Sequence, residues 1–447
     1  MSAGTADTSI RSTASQPRAE SERRVEIDWL RTFVVLGIVP LHVLMTFALT
    51  GAIFVHSAAV ANPGLGFVAG FISAWGIPVL FLMAGAGTAF ALKRRSGSEY
   101  LRERLLRLGV PLLVIMLFFA PLQAYFILLS NPSLVSMSTQ LGFVPISDPE
   151  QLRSITGFYT VYLTFIITSV RQLSPLVSNL IFGGLFFVPR LLVVSFICLP
   201  LLLYLHGKGQ RWVERIAAVG AHPLMLLIGA GLVPGVVMAI LRSGWLERFT
   251  AGWPYTDDWS AFFLGLAMFV YGYLIYASVR LRTAVRDVAW YAVVLGAVCT
   301  STVVAVMMLN RVPPNDASPA SMAYAIGQAF AAWLPALALL GIAMRYLTMS
   351  NRLLAYLTPA AFPVFLLHTP VQAAVTYYIL QMPVYWVIQL VAILIVTFAL
   401  AFAIYEYVLR RTPVTRFLFG IKSPRTKSRV QSRPPATNPP REAVPTA

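Results

Sequence analysis

Apolar residues in this chain fall into runs of about twenty, the length an α-helix needs to cross a bilayer. Ten such runs are separated by polar stretches, near 30–51, 67–92, 108–130, 184–205, 219–241, 259–279, 288–309, 322–346, 358–380 and 384–408. The bilayer core offers no partner for an unpaired backbone N–H or C=O, so each run is expected to be helical. The pattern therefore predicts an all-α, polytopic membrane protein of ten transmembrane helices. One further stretch, 157–180, is partly apolar but carries Arg171 and then QLSPLVSN. It reads as a re-entrant or interfacial helix within a long connection.

Composition agrees with a membrane protein. Hydrophobic residues make up 58% of the chain and charged residues 11%, against about 25% charged in soluble proteins. Charge adds an orientation. With ten spans, 28 of the 34 Lys and Arg fall on one side and 6 on the other. The positive-inside rule puts the richer side, with both termini, in the cytoplasm. An eleventh span at 157–180 would break that alternation. The net charge of +17 then reflects orientation and attraction to anionic lipid headgroups, and nucleic acid is not an expected partner. Three segments follow: a polar, disordered tail over 1–24, a transmembrane domain over 25–410, and a basic, Pro-rich disordered tail over 411–447. The first tail lacks a short apolar region with a cleavage site, so it is not expected to be a signal peptide. Cys198 and Cys299 lie in apolar runs without CxxC or metal-ligand spacing, so no metal is expected.

The informative residues are polar ones out of place. In EIDWLRTFVVLGIVPLH, Arg31 stands at the cytoplasmic mouth of the first span and His42 lies eleven residues on. At about 100° and 1.5 Å per residue the two share roughly one face, about 16 Å apart. Asp28 is one turn before Arg31 and suited to pair with it, with Glu26 nearby. His42 alone is equally consistent with a histidine hydrogen-bonded to another helix, and Arg31 alone with a snorkelling, topology-setting cation. A second histidine, His368, lies at similar depth in TPAAFPVFLLHTPVQ, among Pro359, Pro363 and Pro370. Two histidines at matched depth, one beside a proline-broken helix, suggest a polar cavity. Between spans two and three, Arg104 and Arg107 are at i,i+3, so one helical face is expected to present both guanidinium groups to a phosphate. Ordinary positive-inside charge is the alternative reading of that loop, and it is the better one for Lys93, Arg94 and Arg95. On the opposite face, Asp257, Asp258 and Trp259 in GWPYTDDWSAFF suit either a sugar or an interfacial aromatic belt.

Taken together, these motifs resemble the acyltransferase 3 family of integral membrane acyltransferases. The resemblance rests on the arginine, ten residues, then histidine of Arg31 and His42, on the small-residue turn FLMAGAG followed by Arg104 and Arg107, and on FPVFLLHTPV with His368. It covers most of 24–410, and the subgroup it looks closest to includes bacterial glucan-modifying succinyltransferases. One departure is Ala84 in the span-two turn, where family members often have serine.

The resemblance implies a multi-pass enzyme of the cell membrane. Such an enzyme moves an acyl group from cytoplasmic acyl-CoA, acetyl-CoA or succinyl-CoA, to a carbohydrate or glycolipid acceptor outside. His42 and His368 would be catalytic, and Arg31, Arg104 and Arg107 would hold the donor's phosphates. Glu26 and Asp28 would support them, and Asp257, Asp258 and Trp259 would face the acceptor. Histidines and proline-bent helices near mid-membrane also suit a proton-coupled transporter of a polar or glycolipid substrate. Carriers usually pair such histidines with buried carboxylates, and Glu406 is the one acid clearly within a span.

Overall fold

The computed structural model describes residues 25–48, 61–130, 157–160, 162–163, 187–242 and 259–421. Among these there are no strands, and ten helices are long and apolar enough to cross a membrane. They are α1 (Val25–Thr46), α2 (Pro63–Leu92), α3 (Gly97–Ser130), α4 (Phe187–His206), α6 (Met225–Arg242), α7 (Trp259–Ala277), α9 (Ala289–Met308), α10 (Pro319–Tyr346), α11 (Arg352–Ile379) and α12 (Trp386–Leu409). Two shorter amphipathic helices, α5 (Gln210–Gly220) and α8 (Val279–Asp287), precede α6 and α9, and a last short helix, α13 (Pro413–Leu418), follows α12. All ten expected spans are present. The helical part continues past the expected boundary at 410, and Phe419 is buried against the core. Asp257 and Asp258, and the two tails up to Arg24 and from Lys422, lie outside the described residues. In the stretch 157–180 the described residues are helical, and Phe158 and Tyr162 pack beside Tyr125 of α3.

Several helices begin where side chains take over the first orphan N–H groups. Asn62 accepts from Gly64 and Leu65 at the head of α2, and Asn351 does the same for Leu354 at the head of α11. Ser96 and Glu99 form a reciprocal capping box that starts α3 well before its apolar run. As a result Arg104 and Arg107 ride on the first turns of the span itself. Arg104 immediately precedes a π-turn, Leu105–Gly109, that contains Arg107, and a second follows at Ile115–Phe119.

The expected break in α11 does not occur. The helix runs unbroken through Pro359, Pro363 and Pro370. Each proline removes one donor, but nearly every side chain from Ala360 to Thr376 is buried against neighbouring helices, and that packing holds the helix. α1 packs between α2 and α11, and the Trp29 indole donates to the Met349 carbonyl at 2.9 Å. That bond ties the head of α1 to the turn before α11 and helps set how the two helices lie in register. At FLMAGAG, α2 meets α7 backbone to backbone. A Cβ on Gly85 would strike the Phe269 carbonyl, and one on Gly272 would strike the Leu82 carbonyl. Small residues permit this approach, as is common between membrane helices.

Candidate active site

His42 and His368 meet. Nε2 of His368 is 3.0 Å from Nδ1 of His42, and the rings lie nearly parallel with centroids 5.0 Å apart. His368 is fully buried and also stacks on Phe365 at 5.3 Å. The other nitrogen of His368, Nδ1, bonds to the backbone carbonyl of Phe365.

This chain of bonds assigns the protons. A carbonyl only accepts, so Nδ1 of His368 carries hydrogen. In the neutral ring Nε2 of His368 is then a lone pair, and Nδ1 of His42 must donate to it. That leaves Nε2 of His42 as the unprotonated nitrogen not engaged in the His–His bond. If His42 takes a proton there, its Nδ1–H still donates to His368. A second proton, on His368, would place two N–H groups face to face. One proton on Nε2 of His42 therefore leaves the internal bond of the pair intact.

Arg31 is exposed at the head of α1, and its guanidinium lies 3.4 Å from the Asp28 carboxylate, the expected pairing. Glu26 is half-buried on the same turn. By helix rise Arg31 and His42 are about 16 Å apart along the axis.

Arg104 and Arg107 turn to different partners. Nε of Arg104 donates to the Tyr100 hydroxyl at 3.1 Å, and Nη2 donates to the Ala84 carbonyl and the Thr88 hydroxyl at 3.2 Å each. Thr88 and Tyr100 are themselves 2.8 Å apart and buried. Arg104 thus fastens α3 onto α2. It uses the backbone of Ala84 and the hydroxyl of Thr88, so a serine at 84 is not needed to hold it. Arg107 pairs with Glu103 at 2.8 Å, and Glu103 also pairs with Arg95.

A cavity of about 530 Å³ opens at the opposite end of α2, beside the last turn of α1, with Trp259, Arg242, Tyr324 and Gln328 in its wall. Arg242 stacks over Tyr324 at 5.1 Å and donates to the Pro313 carbonyl at 2.7 Å and to Ser321 at 3.0 Å. Met45, one turn after His42, also lines this cavity. Glu406, the acid that the apolar pattern places clearly within a span, is 2.7 Å from Arg410 and 3.4 Å from the Tyr356 hydroxyl.

Two features were not foreseen. Thr88 and Tyr100 stand out in the sequence only once Arg104 is seen between them. A cluster of glutamine and threonine lies just beyond the histidines, comprising Thr46, Gln123, Thr369, Gln372 and Thr376. A signal for it existed, since Gln372 and Thr46 each follow a histidine by four residues in apolar runs.

A family model described as an acyltransferase domain matches residues 24–406. No curated protein and no solved structure matches the chain.

Proposed function

The chain belongs to the acyltransferase 3 family, and we propose that this multi-pass membrane enzyme transfers an acyl group from cytoplasmic acyl-CoA to a hydroxyl of a carbohydrate or lipid-linked glycan on the outer face of the cell membrane. The observation that carries this reading is the His42–His368 bond of 3.0 Å inside the bundle. It presents one unprotonated imidazole nitrogen, backed by a second ring, about 16 Å from a charged membrane edge.

In the proposed reaction, Nε2 of His42 removes the proton from the acceptor hydroxyl as its oxygen attacks the thioester carbonyl. A C–O bond forms and a tetrahedral intermediate takes the negative charge. The C–S bond then breaks, and the thiolate takes the proton back from His42, giving the O-acyl product and free CoA thiol. His368 plays the part of an orienting partner: it fixes the His42 ring and accepts from its Nδ1–H while His42 is cationic. Arg31, Arg104 and Arg107 receive the donor's phosphates at the cytoplasmic edge. Arg107 reaches them by exchanging Glu103 for phosphate, and Arg104 by the guanidinium edge not committed to α2. The cavity bordered by Trp259 and Arg242 is the acceptor's way in.

The experiment is mass spectrometry of envelope glycans and lipids from cells with the protein, cells without it, and cells carrying His42→Ala. An acyl ester present only with the unaltered protein is expected, and its mass names the donor. Identical envelopes in all three would refute the reading.

A further inference from the structure

One turn beyond the histidine pair, on the side away from Arg31, the bundle holds a small polar chamber. Its walls are Thr46 of α1, Gln123 and Ile127 of α3, and Thr369, Gln372, Ala373 and Thr376 of α11, around a void of about 10 Å³. The five polar side chains are all 4% exposed or less. Four of their atoms, Oε1 of Gln123, Oγ1 of Thr369, Oε1 of Gln372 and Oγ1 of Thr376, have no hydrogen-bond partner among the described residues. Whichever way each amide is turned, its buried end needs a partner.

We infer that this chamber is a hydroxyl-binding subsite, built to take a single O–H group from the acyl acceptor or from water. The size fits, because one oxygen needs about 10–15 Å³ of such space and several polar neighbours. The chemistry fits as well. Among the described residues no charged side chain lines the chamber, so an ion finds no counter-charge there, whereas a hydroxyl both donates and accepts. A cluster of orphaned polar atoms in apolar surroundings is costly, and a bound hydroxyl removes that cost.

The placement links the chamber to the reaction. Gln372 and Thr376 follow His368 by four and eight residues, so they continue its face of α11. Thr46 follows His42 by four, and its hydroxyl donates to the His42 carbonyl at 3.5 Å. The chamber centre is thus displaced about 6 Å along the helix axes from the imidazoles, on the side of His42 away from Arg31. Gln123, Gln372 and Thr376 act as positioning residues for the hydroxyl. The inference rests on the acyl-transfer reading for what the hydroxyl does there, and not for the existence of the site.

The test uses full-length protein in detergent with Gln123→Met, Gln372→Met and Thr376→Val, close in shape but without the polar ends, and with Thr376→Ser, which keeps the hydroxyl. Thermal unfolding reads the site without any reaction. If a hydroxyl is bound, the three apolar variants unfold below wild type and Thr376→Ser matches it. If the chamber is a dry packing fault, removing orphaned polar atoms raises the unfolding temperature, and that result overturns the proposal. Acetyl-CoA cleavage is then measured with water alone and with methyl β-D-glucopyranoside as hydroxyl probe. Loss of glucoside transfer by about tenfold or more with hydrolysis kept assigns the hydroxyl to the acceptor, and a matching loss of both assigns it to water. Wild-type protein that cleaves no acetyl-CoA, with unfolding lowered in the variants, would reject that donor and keep the subsite.

Discussion

At the scale of single residues, what matters is which imidazole nitrogen holds a proton. The Phe365 carbonyl sets His368, and His368 sets His42. Removing His368 leaves Nδ1–H of His42 without its acceptor and lets the ring turn. His368→Ala is therefore expected to lower turnover by about ten- to a hundredfold with little change in KM for the donor, since only orientation and the cationic state are affected. His368→Gln, whose amide oxygen can accept the same bond, should keep more activity than alanine. Steady-state kinetics of the two variants decides this. Equal loss in both would mean that the acceptor at that position is irrelevant. The two histidines were legible in the sequence as intramembrane ionisable residues at matched depth. Their contact was not, because depth along two helices does not say which faces meet. The Phe365 carbonyl could not be read at all, since a backbone group leaves no mark in composition.

At the scale of helices, Arg104 and Arg107 look alike in sequence and differ in the fold. Arg104 is a fastener between α2 and α3 with three protein partners, whereas Arg107 holds one partly exposed carboxylate. Exposed ion pairs contribute about 0–1 kcal/mol, so Glu103 yields to a phosphate at small cost. Arg107→Ala is expected to weaken acyl-CoA binding and flatten its salt dependence while leaving the unfolding temperature near wild type. Arg104→Ala should lower both, because it leaves Thr88 and Tyr100 buried without their cation. Binding isotherms across a salt series, beside thermal unfolding, separate the two; an Arg107→Ala affinity unchanged at low salt would remove it from the donor site. The i,i+3 spacing suggested a shared face because it assumes an α-helix. The π-turn that starts at Leu105 changes the angle between the two residues, and no residue type announces it. α11 was misread for a related reason. Three prolines argue for a break, yet burial on all sides of a membrane helix outweighs the lost donors.

At the scale of the whole molecule, the number and placement of spans were legible because a bilayer permits so few backbone solutions. Two openings were harder to read. The polar chamber beside the histidines gathers residues from three helices, and the cavity near Trp259 gathers them from several. The proposed layout is a donor edge at Arg31, a transfer point at His42 and an acceptor entrance at the far end. Its most direct test is a reconstituted one. Protein in sealed liposomes, with both termini facing out, receives radiolabelled acetyl-CoA or succinyl-CoA outside and an envelope glycan extract inside. The account predicts label on the enclosed glycan for wild type, and transfer lower by about two to four orders of magnitude for His42→Ala. Equal transfer by His42→Ala and wild type would contradict it.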